Sequence, residues 1–89
     1  MYKTDNIQII TRRQTADRLG CSLSSVDRKT RAGTLPPMIK VPGGSVGFVK
    51  QEIDLLLKAA IQGKSDAALI TLIQNICEFR KSFDLEFVA

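Results

Sequence analysis

The 89-residue sequence predicts a mainly α-helical protein with a small β-hairpin, arranged as a winged helix-turn-helix with an added C-terminal helix. The first indication is a short helix that a glycine turn joins to a second helix led by a serine. Next come two short apolar strands around a Pro-Gly-Gly segment, which is typical of a hairpin. Apolar residues then recur at spacings of three and four, which indicates two further helices.

The first helix is expected from about Arg12 to Leu19. Thr11 and Gln14 match a capping box, in which the Thr oxygen accepts a backbone hydrogen bond and the Gln side chain reaches back. Residues 1–10 form a short lead, which is expected to pack against the body as an extended arm. The apolar residues of this arm are Ile7, Ile9 and Ile10.

The second helix is expected to begin after the cap residue Ser22, to reach about Ala32 and to end at Gly33. Three spacings indicate that it crosses the first helix closely. Ala16 is small enough for a crossing point, Gly20 tolerates the left-handed backbone of a tight turn, and Val26 packs the second helix onto the first. The pair is therefore interpreted as a helix-turn-helix.

The second half of the chain predicts a hairpin and two helices. Pro36 and Pro37 prevent further helix, and apolar residues alternate on either side of a tip at residues 42–45. A helix follows from about Val49 to Ile61 and breaks at Gly63. Ser65 caps a last helix of about Asp66 to Ser82. We therefore divide the chain into a winged helix-turn-helix domain of residues 1–63 and a C-terminal unit of residues 64–89.

Charge is distributed unevenly along the chain. Residues 12–40 contain seven bases and two acids, a balance of +5, whereas residues 51–89 contain four bases and six acids, a balance of −2. A basic half of this kind favours a polyanionic partner, and together with the helix-turn-helix pattern it predicts binding of double-stranded DNA.

Other function classes are disfavoured. The chain has no His, Cys21 and Cys77 are far apart, and the acids are scattered, so we expect no enzyme, no metal site and no cofactor. The two cysteines are expected to be reduced, buried thiols of a cytoplasmic protein. The apolar stretch of residues 67–76 is too short and too polar to span a bilayer, so we expect no membrane association.

The stretch from about Ile9 to Leu57 resembles the AlpA-like group of phage and prophage regulators and excisionases, small proteins with a MerR-like winged helix. The resemblance implies that the second helix enters the major groove and that the hairpin wing touches the DNA backbone or minor groove. It also implies activation of a recombinase gene, or assistance to an integrase during excision. The matching residues are Ala16, Leu19, Gly20, Ser22, Leu23, Ser24, Ser25, Val26, Arg28, Ala32, Gly33, Leu35, Pro36, Val46, Gly47, Phe48, Glu52 and Ile53.

Two features depart from that family. Lys29 and Thr30 stand where the family usually has apolar residues, and a long apolar helix follows Gly63. Because a buried, unpaired ammonium is costly, we expect the Lys29 stem to lie on apolar surface with its head in solvent, within reach of a phosphate.

The candidate DNA contacts lie on the second helix and the hairpin. Arg28 has the reach to read guanine, and Arg31 is expected to hold phosphate. Asp27 either accepts a hydrogen bond from cytosine or pairs with Arg31, four residues later. Lys40 and the wing tip are expected to contact the backbone. The full candidate set is Arg12, Ser22, Ser24, Ser25, Asp27, Arg28, Lys29, Arg31, Lys40, Gly43, Gly44 and Ser45.

Two alternatives to a regulator or excisionase stay open. One is the DNA-recognition domain of a phage small terminase subunit, and the other is an adaptor that docks on a recombinase and touches DNA weakly. In any of these, the last helix is expected to pack on the domain and to leave an apolar strip through which two copies meet. That strip comprises Leu69, Ile73, Ile76 and Phe83, with Ile70, Cys77 and Phe79 widening it.

Overall fold

Four helices and a three-stranded antiparallel sheet make up residues 1–83, the part of the chain that the computed structural model describes. The mainly helical class with a small antiparallel sheet is therefore confirmed. The last six residues of the predicted C-terminal unit lie outside the described residues. The elements in chain order are β1 (Ile9–Ile10), α1 (Arg12–Leu19), α2 (Leu23–Arg31), β2 (Ile39–Val41), β3 (Ser45–Val49), α3 (Lys50–Ile61) and α4 (Asp66–Lys81).

Local signals place the boundaries of α1 and α2 where the sequence predicts them. The capping box is present, because Thr11 Oγ1 accepts the Gln14 N–H at 3.0 Å and Gln14 Oε1 accepts the Thr11 N–H at 2.8 Å. Gly20 has a φ of 67°, so the chain leaves α1 through a left-handed residue. Ser22 caps α2 by accepting the Ser25 N–H at 3.2 Å. Only three residues separate the two helices, which fixes them as a tight pair.

The sheet has the order β1-β3-β2. The predicted hairpin supplies β2 and β3, with Ile39 paired to Gly47. The expected arm contributes a third strand, β1, in which Ile9 pairs with Val49. Two residues are too few for alternation to be visible in the sequence. At Gly47, an added Cβ would overlap the Ile10 carbonyl oxygen, so the close approach of β1 requires glycine at this position.

The core lies between the sheet and the helices. Val26 of α2, Phe48 of β3 and Ile53 of α3 are fully buried in one cluster, which also includes Ile73 of α4. Ile76 of α4 is fully buried as well. Two central members of the strip predicted to join two copies are therefore inside the protein, because α4 packs against α3. No helix within residues 1–83 is long and apolar enough to cross a membrane.

A fully buried carboxylate connects four segments of the chain. Glu52 of α3 has 0% exposed surface, and it accepts hydrogen bonds from Arg80 Nε at 2.7 Å and Arg80 Nη2 at 2.5 Å. The Tyr2 hydroxyl donates to the same carboxylate at 2.9 Å, and Arg80 Nη2 also donates to the Pro37 carbonyl at 2.8 Å. The lead, the segment before β2, α3 and α4 therefore meet at Glu52.

Three aromatic rings form a cluster that contacts this ion pair through the Tyr2 hydroxyl. The ring centroids of Tyr2 and Phe79 lie 4.8 Å apart, and those of Phe79 and Phe83 lie 5.3 Å apart, all in edge-to-face geometry. Burial and the hydrogen bond to Glu52 raise the pKa of Tyr2 to about 12. The hydrogen bonds to Glu52 also raise the pKa of Arg80, despite its partial burial.

The two cysteines are free but half-buried, which corrects the expectation of buried thiols. Cys21 is in the turn after α1 and lines a surface crevice, and Cys77 is on the partly covered side of α4.

We predict that Arg80→Met destabilises the protein by about 3–5 kcal/mol, because it leaves a buried carboxylate without its cation. The neighbouring Lys81→Met is the matched control. Lys81 pairs with Glu78 on the surface, where both side chains are mostly exposed, so its loss is expected to cost less than about 1 kcal/mol. Urea unfolding monitored by circular dichroism measures both. Equal losses in the two variants would contradict a structural role for the buried pair.

Tyr2 gives a pH-dependent test of the same cluster. In the fold the pKa of Tyr2 is about 12, against an ordinary value of 10.0. The unfolded chain therefore loses the phenol proton first as the pH rises, and the free energy of unfolding is expected to fall between these two values. Because Tyr2 is the only tyrosine and the chain has no tryptophan, phenolate absorbance reports this residue alone. Tyr2→Phe is expected to abolish the loss in this pH window. If the phenolate of the native protein formed with the ordinary tyrosine pKa of 10.0, the contact with Glu52 would be refuted.

Candidate nucleic-acid interface

The side of α2 that faces away from the core carries a basic and polar surface. Val26 is fully buried and fixes the inward side of the helix. Successive residues are about 100° apart around a helix, so Ser24, Arg28 and Arg31 lie roughly opposite Val26. All three are exposed, as predicted, whereas Ser25, which was expected on the same face, is half-buried on the side of the helix. The outward surface of α2, defined by Ser24, Arg28 and Arg31, therefore offers one hydroxyl and two guanidinium groups to solvent.

Three serines open α2, and they differ in what they contact. Ser22 Oγ caps the helix and donates to Ser25 Oγ at 3.1 Å. Ser25 Oγ also accepts from Arg28 Nη2 at 3.3 Å, which orients the guanidinium toward the helix N-terminus. Within residues 1–83, the Ser24 side chain makes no hydrogen bond. Ser24 is therefore the serine hydroxyl that is available to an external partner.

Asp27 pairs with Arg12, so the predicted pairing of Asp27 with Arg31 is wrong. Arg12 Nε and Nη2 bind the two carboxylate oxygens at 2.9 and 2.5 Å. The crossing of the two helices brings the first residue of α1 beside the middle of α2, and the planar guanidinium binds both oxygens at once. The side chains of Arg12 and Asp27 remain 42% and 41% exposed, so the pair lies on the surface beside Arg28.

Lys29 is exposed and lines an apolar crevice with Leu35 and Leu69. This places Lys29 on the flank of α2 that faces α4. On the other flank, Arg31 and Asp27 line a shallow concavity with Met38, the residue before β2. The outward surface of α2 therefore borders the hairpin on its Arg31 side.

The β2–β3 hairpin ends in an exposed turn. The Gly44 N–H donates to the Val41 carbonyl at 3.1 Å, and Gly43 and Gly44 have φ values of 102° and 107°, which side chains rarely adopt. Pro42 precedes them, as is favoured in such a turn. Ser45, at the start of β3, is exposed like the two glycines. The tip is therefore narrow and presents backbone groups to solvent.

The exposed face of the hairpin combines charge and apolar surface. Lys40 pairs with Val46 across the strands, so the two side chains lie on the same face. Both are exposed, and Val46 is one of the few large apolar residues that are. The alternation in the sequence identified the strand but did not show that Val46 lies outside the core.

Ion pairs decide which cations are available. Arg18 and Lys50 both bind Asp54, and these hydrogen bonds outweigh the effect of burial and lower the pKa of Asp54. Among the bases of residues 12–40, five form no ion pair within the described part of the chain. These are Arg13, Arg28, Lys29, Arg31 and Lys40. Three of these five cations lie on α2, with Arg13 on α1 and Lys40 on β2.

No known protein family, curated protein or solved structure matches this chain. The function of this surface is therefore inferred from its own residues and geometry.

Proposed function

We propose that the chain binds double-stranded DNA sequence-specifically as a winged helix-turn-helix protein. In this arrangement α1 and α2 form the helix-turn-helix, α2 enters the major groove and the β2–β3 hairpin acts as the wing. The observation that carries the proposal is the outward surface of α2, where Ser24, Arg28 and Arg31 are exposed together opposite the buried Val26. An α-helix of about 10–12 Å diameter fits a major groove of about 12 Å width.

Arg28 is the proposed base reader. It is exposed at the centre of the outward surface, and its contact with Ser25 holds the guanidinium in place before DNA arrives. A guanidinium that donates two hydrogen bonds recognises the O6 and N7 atoms of guanine. Ser24, near the N-terminus of α2, is placed to contact phosphate or a base edge.

Arg31 and Lys40 are proposed to hold phosphates on the hairpin side. Neither forms an ion pair within residues 1–83, so each is free to neutralise a phosphate. Arg12 and Asp27 have a different proposed role, because each already satisfies the other's charge. The pair fixes the angle between α1 and α2 and keeps the Asp27 carboxylate from repelling phosphate.

At the wing, Gly43, Gly44 and Ser45 are proposed to approach the DNA backbone or minor groove. The backbone at this tip is exposed and has no side chain in the way. Lys40 lies on the strand that leads to the tip and adds positive charge beside it.

For the biological role, we propose a mobile-element regulator or excisionase, with an integrase as its protein partner in the second case. This part rests on the resemblance of residues 9–57 to that group. The adaptor alternative differs physically, since it predicts that phosphate neutralisation contributes little to affinity.

A salt titration of binding to duplex DNA tests the proposal against the adaptor. If Arg31 and Lys40 each neutralise a phosphate, the logarithm of the association constant is expected to fall with a slope of about −2 against the logarithm of salt concentration. Fluorescence anisotropy with a labelled duplex measures this slope. Weak binding with little dependence on salt would contradict the proposal and favour the adaptor.

Arg28→Ala is expected to weaken binding to the cognate site by about 1–3 kcal/mol and to relax the preference at one base position. Lys58→Ala removes an exposed positive charge from α3 and serves as the control. It is expected to leave the base preference unchanged. Selection from a randomised duplex library measures both variants. If the library profile of Arg28→Ala equalled that of the wild type, Arg28 would not be a base reader.

Replacing Gly43 and Gly44 with Ala is expected to weaken binding to all duplex sequences to a similar degree. Alanine fits the space at both positions, but their positive φ values oppose it by about 1–3 kcal/mol each, so the tip is expected to change shape. Gly63→Ala is the matched control, because Gly63 also has a positive φ and open space around it, but it lies between α3 and α4. Thermal melting and footprinting together measure the outcome. An unchanged footprint on both sides of the site would exclude the wing from the interface.

A further inference from the structure

An apolar crevice opens where α2, α3 and α4 meet, away from the turn of the hairpin. It has a volume of about 260 Å³ and is lined by Leu19, Leu57, Ala60 and Leu69. A second crevice of about 370 Å³ adjoins it and shares Lys29, Thr34 and Leu69. The two crevices form one continuous depression on the surface, which we call the groove.

Large apolar side chains flank the groove without being covered. Ile61 is 84% exposed and lies one helical turn beyond Leu57, on the same side of α3. Ile70 of α4 lines the second crevice and is 40% exposed. The other exposed large apolar residues, Met1, Ile7 and Val46, lie on the lead and the hairpin. Exposed apolar surface beside a depression is typical of a protein interaction site.

One charge of each sign lies in the groove. Lys29 of α2 and Asp66 of α4 both line the second crevice, and neither forms an ion pair within residues 1–83. A strongly basic or strongly acidic partner is favoured by a surface of opposite net charge, and here the two charges cancel. A groove with one cation and one anion is instead complementary to itself, because a twofold axis places each charge opposite the other.

We infer that the groove binds a second copy of this chain. Ile61 of each copy packs into the crevice of the other, and Lys29 of each copy pairs with Asp66 of its partner. The groove is on the flank of α2 that carries Lys29, so the outward surface of Ser24, Arg28 and Arg31 stays uncovered in the dimer.

Sedimentation velocity over micromolar to millimolar concentrations, without DNA, tests the inference. The wild type is expected to dimerise reversibly, and Ile61→Asp is expected to raise the dissociation constant at least about tenfold, because a carboxylate in an apolar crevice is strongly disfavoured. Ile7→Asp is the matched control, since Ile7 is 38% exposed on the lead, and it is expected to leave the dimer unchanged. Circular dichroism verifies that each variant is folded.

A charge exchange tests the pairing itself. In a dimer of Lys29→Glu, both ion pairs are replaced by two facing acids. In a dimer of Asp66→Lys, both are replaced by two facing bases. Each variant is therefore expected to weaken the dimer about threefold to tenfold. An equimolar mixture of the two variants restores both attractive pairs and is expected to form a heterodimer with wild-type affinity.

Three results would overturn the inference: a wild type that is monomeric at every concentration, a dimer that Ile61→Asp leaves intact, or a mixture that associates no better than its components. Because the experiment contains no DNA, each of these results is independent of whether the proposed DNA binding is correct.

Discussion

The buried carboxylate of Glu52 is the constraint on which the packing of this small protein depends. A fully buried charge is tolerated only with its partner in place, and Arg80 supplies that partner from the far end of α4. Compared with an apolar pair of the same shape, such a pair adds little net stability. Its effect here is to favour this placement of α4 over other placements, because those would leave Glu52 without its cation. The hydrogen bond from Tyr2 to Glu52 fixes the position of the lead, residues 1–10, in the same way.

A short series of contacts connects the helix that carries Glu52 to α2 and so fixes the orientation of the outward surface of α2. Lys50 begins α3 directly after β3, so the helix that carries Glu52 is continuous with the sheet. Asp54 of α3 then binds Arg18 of α1, and Arg12 of α1 binds Asp27 of α2. These two contacts join residues that are 36 and 15 positions apart in the sequence. The direction in which Arg28 points is therefore set by packing across the whole domain as well as by the Gly20 turn.

Features that depend on residues close in sequence could be predicted, whereas features that depend on residues far apart in sequence could not. The cap at Thr11, the turn at Gly20 and the exposure of Arg28 depend on neighbours within about one helical turn, and these were predictable from spacing. The bond between Arg12 and Asp27 joins residues 15 apart, and that between Glu52 and Arg80 joins residues 28 apart. No local period marks such pairs, so the sequence offered only Arg31, four residues on, as an ion-pair partner of Asp27 and did not indicate Arg12. The strand at residues 9–10 was missed for the same reason, because it exists only through its pairing with β3.

The ion pairs also determine how charge is displayed. The net charge of +4 is modest, and it says little about where a polyanion would bind. Asp27, Glu52 and Asp54 each bind a base from another element, so these acids are occupied in holding the fold together. Of the eight bases that form no ion pair within residues 1–83, five lie on α1, α2 and β2, so most of the unopposed positive charge is on these elements. The same contacts that orient α2 therefore also leave its cations unopposed, which couples the shape of the proposed interface to its charge.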